Sequence, residues 1–165
     1  MTRRGSLAYY LAAWICGCFF MSAAVWTRDL QGATPGIASM HSAFGLLFFS
    51  FYGLIWGAGS SLAGGFLLRR MARAARLEKT WQWVTAGAAI APVVIFLLGA
   101  IYRNGAMHDR EPKGLLAFFT RGPAVVLSAG WWLAIPAGAA TAWVLFRVHR
   151  AFGMATNASG ASPGR

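Results

Sequence analysis

Four long uncharged runs, separated by short polar stretches, set the pattern of this chain. They cover Leu7 to Trp26, Ala43 to Leu68, Trp83 to Tyr102 and Pro123 to Phe146. At about 1.5 Å per helical residue, each is long enough to cross a hydrocarbon core of roughly 30 Å. The expected fold class is all-α, an integral membrane bundle of four transmembrane helices. The helices fall at about 7–26, 43–68, 83–102 and 123–146 within a domain of residues 1–152, and the Gly/Ala/Ser-rich stretch 153–165 is expected to be a disordered tail. The second run would be about 39 Å long as a straight helix, so it has to tilt or project beyond the bilayer.

The stretches between the runs supply the punctuation. Thr27 to Met40 carries Gly32, Pro35 and Gly36, which read as a loop. Pro92 lies inside the third run, where a transmembrane helix tolerates it if neighbours take up the freed carbonyl. Pro123 opens the fourth run, as suits a helix N-terminus. Leu115 to Phe119 is too short to span and is expected at the interface or against the bundle. A cleaved signal peptide is the rival for the first run, because Ser22-Ala23-Ala24 resembles a cleavage site. The run is longer and more aromatic than a signal core, which favours an uncleaved helix.

Composition agrees with this pattern. The chain is 58% hydrophobic and 12% charged, against about 25% charged in a soluble domain. Its net charge of +11 comes from 15 Lys/Arg against 4 Asp/Glu. These cations sit between the apolar runs, which the positive-inside rule explains and a nucleic-acid partner does not. Ten fall on the head, the stretch after the second run and the tail; five fall on the other two connections. Both termini are therefore expected in the cytoplasm, and short loops with Ala, Gly and Arg suit a bacterial inner membrane. Cys16 and Cys18 point to different sides of one helix and read as small apolar fillers.

Small residues recur at every fourth position in two runs. The second carries Gly53, Gly57, Ser61 and Gly65; the fourth carries Gly130, Ala134, Gly138 and Ala142. Shorter versions are Ala8, Ala12 and Cys16 in the first run and Gly87 and Ala91 in the third. In lipid, where no hydrophobic force joins helices, such ridges permit close backbone contact. They are expected to pack helices within the chain or to dock a membrane-protein partner or a second copy.

The runs hold no ionisable group at mid-membrane, which counts against proton-coupled transport, voltage sensing and pumping. Their polar groups are hydroxyls, of which Ser50, Ser60, Ser61 and Ser128 suggest a path for a neutral solute. On the expected outer face, His41, His108, Asp29, Asp109 and Glu111 have the chemistry of metal ligands or of acid and base. They lack the spacing of a ligand motif, and no cofactor is expected. Arg69, Arg70, Arg73, Arg76 and Lys79 should attract anionic headgroups on the cytoplasmic side. Trp26, Tyr102, Trp81 and Trp83 sit at run ends and suit the interfacial belt. Trp56, Trp131 and Trp132 sit deeper, where packing is expected. His149, between Arg147 and Arg150, reads as a helix end at the headgroups.

Three functions follow in order of expectation. The first is a non-enzymatic accessory or scaffolding subunit of a membrane assembly. The second is a small carrier or pore for a neutral solute, and the third an outer-face metal-binding or enzymatic protein.

Overall fold

The computed structural model describes residues 3–32, 44–108 and 113–158, and the regular structure among them is entirely helical. The helices are α1 (Arg3–Gly32), α2 (Phe44–Trp56), α3 (Ala58–Ala74), α4 (Thr80–Met107), α5 (Leu115–Gly130) and α6 (Ala134–Ala158). A 3-10 turn, Trp131–Leu133, joins the last two. Three stretches are long and apolar enough to cross a membrane: Arg4–Arg28, Thr80–Met107 and Leu115–Phe152. The pair α2 and α3 makes a fourth if it is counted as one broken span.

The second run differs from its expectation. It is no single rod: Ser50–Trp56 and Ala58–Ala74 meet at 66° across Gly57. Backbone bonds from the Gly57 N–H to the Gly53 carbonyl (2.8 Å) and from the Ser61 N–H to the Gly57 carbonyl (3.0 Å) bridge the break. Side chains supply further donors there. The Trp14 indole N–H donates to the Leu54 carbonyl at 2.8 Å, and the Ser60 hydroxyl to the Gly57 carbonyl at 3.0 Å. Carbonyls loosened at a bend inside lipid need such partners.

Beyond the bend, α3 runs on through Arg69, Arg70 and Arg73. It ends where Arg76 turns into the left-handed region (φ 49°) and the Leu77 N–H reaches back to the Ala72 carbonyl at 2.9 Å. That pairing of C″ with C3 is a Schellman closure.

The fourth run is also recast. Leu115–Phe119 forms the opening turns of α5, so Pro123 lies inside a helix and not at its start. The interruption comes at Gly130, whose φ of 140° is open to glycine and strained for other residues. The chain then re-enters helix with Pro136 in the first turn of α6, a position that needs no N–H donor. α6 continues to Ala158, into the stretch expected to be a disordered tail.

The small ridges find their mates inside the chain. An added Cβ at Gly87 in α4 would meet the Ala142 methyl and lie 2.5 Å from the Gly138 carbonyl in α6. One at Gly138 would meet the Gly87 carbonyl and lie 2.5 Å from the Ala91 methyl. The α2–α3 ridge lies on α1: Gly65 against Ala13, Ser61 against Gly17, Gly57 against Cys18 and Gly53 against Ser22. The two long ridges thus pack on α4 and α1, not on each other. Gly138→Val should cost about 1–3 kcal/mol by forcing α4 and α6 apart. Denaturation of the variant in detergent micelles, compared with wild type, checks this.

Two apolar clusters mark the ends of the bundle. Tyr9, Leu68, Trp83, Leu145 and Phe146 pack at one end, and Val25, Ile95, Val126 and Leu133 towards the other. The first end gathers the basic segments. Arg69 donates to the Ser6 hydroxyl at 2.8 Å and lies over the rings of Tyr9 and Tyr10 at 5.5 and 5.4 Å. Arg147 and Arg150 lie over Trp143 and Phe146 near the same end.

Trp83 corrects the belt reading. It is 1% exposed, whereas Trp81, two residues earlier, is 62% exposed. The Trp83 indole donates to the Leu77 carbonyl at 3.0 Å and packs on Phe146 and His149, 6.0 and 5.2 Å away between centroids. His149 is consequently held against the bundle, with Arg69 and Arg73 among the charges acting on it. Trp131 and Trp132, expected in the packing, are 52% and 50% exposed, because the 3-10 turn swings them outward.

Candidate functional site

The most developed feature is a cavity of about 350 Å³ between the helices, within the range of small-ligand sites. Its existence follows from the glycines. Where two small ridges meet, backbones touch; where a glycine faces no partner, the missing side chain leaves space. Gly64 and Gly65 in α3 show both outcomes. A Cβ at Gly65 would lie 2.7 Å from the Ala13 methyl, while one at Gly64, which lines the cavity, would meet nothing within 4 Å.

The wall is apolar, with a sparse set of hydroxyls. Ser22 of α1, Tyr52 of α2, Ser60 and Ser61 of α3 and Thr141 of α6 line it. Most are already engaged. The Cys18 thiol and Ser61 hydroxyl lie 3.4 Å apart, Ser60 donates to the Gly57 carbonyl, and Thr141 donates to the Ala137 carbonyl at 2.7 Å. Of the hydroxyls expected to mark a path, Ser60 and Ser61 therefore face this space. Ser128 lies in a neighbouring cleft and donates to the Val125 carbonyl at 2.8 Å. The buried hydroxyl oxygen of Ser50 has no hydrogen-bond partner among the described residues.

Among the described residues, one charged side chain reaches the lining. Arg121 of α5 lies over the Trp56 ring, 5.2 Å from its centroid, beside the bend at Gly57. This placement depends on the helix beginning at Leu115. Counted from the apolar pattern alone, Arg121 belongs to a loop; on α5 it becomes part of the wall. Gly122 fits against the Trp56 carbonyl, and Phe118 packs on the Trp56 ring at 5.8 Å, so the end of α2 and the start of α5 hold each other. A second cleft, of about 460 Å³, shares Arg121 and Val125 with the cavity and also takes in Tyr102, Arg103 and Ser128.

The histidine and carboxylate set is only partly described. His41, Asp109 and Glu111 lie outside the described residues, and Asp29 is placed in α1 by its backbone alone. His108 closes the C-terminus of α4, its Nδ1 3.0 Å from the Asn104 carbonyl oxygen. Among the described residues no three His, Cys, Asp or Glu side chains group as metal ligands. Of the basic residues expected at anionic headgroups, Arg69 is drawn into the bundle, and Arg70, Arg73, Arg76 and Lys79 are exposed. Comparisons with protein-family models, with curated proteins and with solved structures find no match to this chain.

Proposed function

We propose that this is a four-span membrane protein that binds a small, predominantly apolar molecule inside its bundle and carries or holds it there. The cavity between the helices supports this reading: it is of ligand size, walled by apolar side chains and glycine backbone, and Arg121 is the one charged residue in its lining among the described residues. A small inorganic ion or a solute polar throughout would lose its hydration in such a space without replacement. A molecule with an apolar body needs only the few hydroxyls and Arg121 for its one polar end.

The basic end, with Arg4, Arg69 to Lys79, Arg147 and Arg150, faces the cytoplasm in this proposal, by the positive-inside rule. Its exposed cations would meet anionic headgroups there. A bacterial inner membrane is the proposed location. An accessory role in a larger assembly remains the second reading, supported by the lack of ionisable groups deep in the spans. The small-residue ridges add little to it, since both long ones are packed within the chain.

Native purification in mild detergent, followed by mass spectrometry of proteins and small molecules, separates the two. The expected result is the chain alone or as a homo-oligomer, with an extractable apolar molecule. A stoichiometric protein partner and an empty bundle would overturn the proposal in favour of the accessory subunit.

A further inference from the structure

The cavity and the adjoining cleft differ in chemistry, and Arg121 belongs to both. From the arrangement of these two spaces we infer that the ligand is an anionic amphiphile with a single hydrocarbon chain. Its chain occupies the internal cavity, and its carboxylate or phosphate head sits at Arg121 and Arg103. This inference rests on the cavity reading above and adds the identity of the ligand's polar end.

Three observations carry it. First, the charge is confined to one part of the lining. The opposite extent of the cavity is walled by residues such as Leu68 and Leu145, so a bound molecule has its apolar body there and its polar group at Arg121. Second, the guanidinium is held in place. Its central carbon lies 5.2 Å from the centroid of the Trp56 ring at the cavity wall, and the planar N–H fork of a guanidinium suits a two-oxygen anion. Third, the cleft beyond Arg121 supplies a second cationic side chain, Arg103, with Tyr102 and Ser128 also in its lining, and among the described residues no acidic one lines either space. Two cations facing one hollow at the edge of an apolar wall are stabilised by an anion placed between them.

The chemistry is shared by a membrane-derived lysophospholipid and by a free fatty acid, and the test separates them. The full chain in nanodiscs of zwitterionic phosphatidylcholine is titrated with oleate, with oleoyl lysophosphatidate and with uncharged monoolein. Binding is read by native mass spectrometry or with radiolabelled ligand. At least one anion is expected to bind about tenfold tighter than monoolein. The double variant Arg103→Gln/Arg121→Gln should lose that advantage, and an unfolding midpoint in mixed micelles close to that of wild type reports an intact bundle. Arg121→Lys should restore only part of it, since an ammonium lacks the planar fork. Preference for lysophosphatidate assigns a lipid headgroup, and preference for oleate a free acid. Equal binding of all three by wild type, or an anion preference that survives the double variant, overturns the inference and leaves the cavity reading intact. Absence of binding by any of the three overturns both.

Discussion

Trp83→Ala is expected to destabilise the bundle by about 3–5 kcal/mol, the range for removing a buried large aromatic. Trp83 is 1% exposed and touches elements from both halves of the chain. Its ring packs on Phe146 and His149 of α6, its cluster includes Tyr9 of α1 and Leu68 of α3, and its N–H holds the Leu77 carbonyl in the turn after α3. Alanine leaves a void between four helices and an unpaired carbonyl at once. Phenylalanine keeps most of the volume and should lose chiefly the hydrogen bond, about 1 kcal/mol. Trp81→Ala, at a 62% exposed position, is expected within about 0.5 kcal/mol of wild type. Unfolding of the three variants by SDS in mixed micelles orders them. If Trp83→Ala and Trp81→Ala unfold alike, the packing at this end of the bundle is not as described.

The second large effect is on ligand occupancy and not on stability. Gly64→Leu should lower binding of any cavity ligand by about a hundredfold or more, since four added carbons in a site of this size exclude a similar volume of ligand. The substitution is accommodated because a Cβ at Gly64 meets nothing within 4 Å and the position lies inside α3. Removing glycine from a helix interior even favours the fold, by about 0.5–1 kcal/mol. A raised or unchanged unfolding midpoint with lost binding is therefore the expected signature. Retained binding in a stably folded Gly64→Leu would place the ligand elsewhere.

Much of the fold was legible because lipid imposes simple demands. A run without charges that is long enough to cross the bilayer has few fates other than a helix, and α1 and α4 follow from that alone. The breaks were harder. Gly57 and Gly130 look like ridge members by spacing, and glycine at a ridge and glycine at a bend are the same letter. What distinguishes them is tertiary. Trp14 reaches the Leu54 carbonyl, and α5 wedges Gly122 against Trp56, neither of which a periodicity records. Gly130 did carry a local signal, the proline six residues on, which marks a second helix start within one run.

The mates of the ridges were hidden for a similar reason. Spacing four says that a face is smooth and says nothing of which helix lies on it. Trp83 sits at a run end, the usual place of an interfacial tryptophan; only the return of Leu77 and the approach of His149 bury it. The candidate site was the least legible. Its hydroxyls were visible as a set, but a cavity is what remains after several helices have been placed. Arg121 joins it only because α5 starts at Leu115, upstream of the apolar run that begins at Pro123.

The contact between α1 and α6 bears on how the molecule is made. The buried cluster that unites Tyr9 and Ala13 with Ala142, Leu145 and Phe146 joins the first helix to the last. Synthesis proceeds from the N-terminus, so α1 enters the membrane long before α6 exists. Until then its smooth face has only α2 and α3 to cover it, and the bundle cannot close. Assembly therefore waits on the final helix, and a chain that stops after α5 leaves the α6-facing side of α1 uncovered by protein.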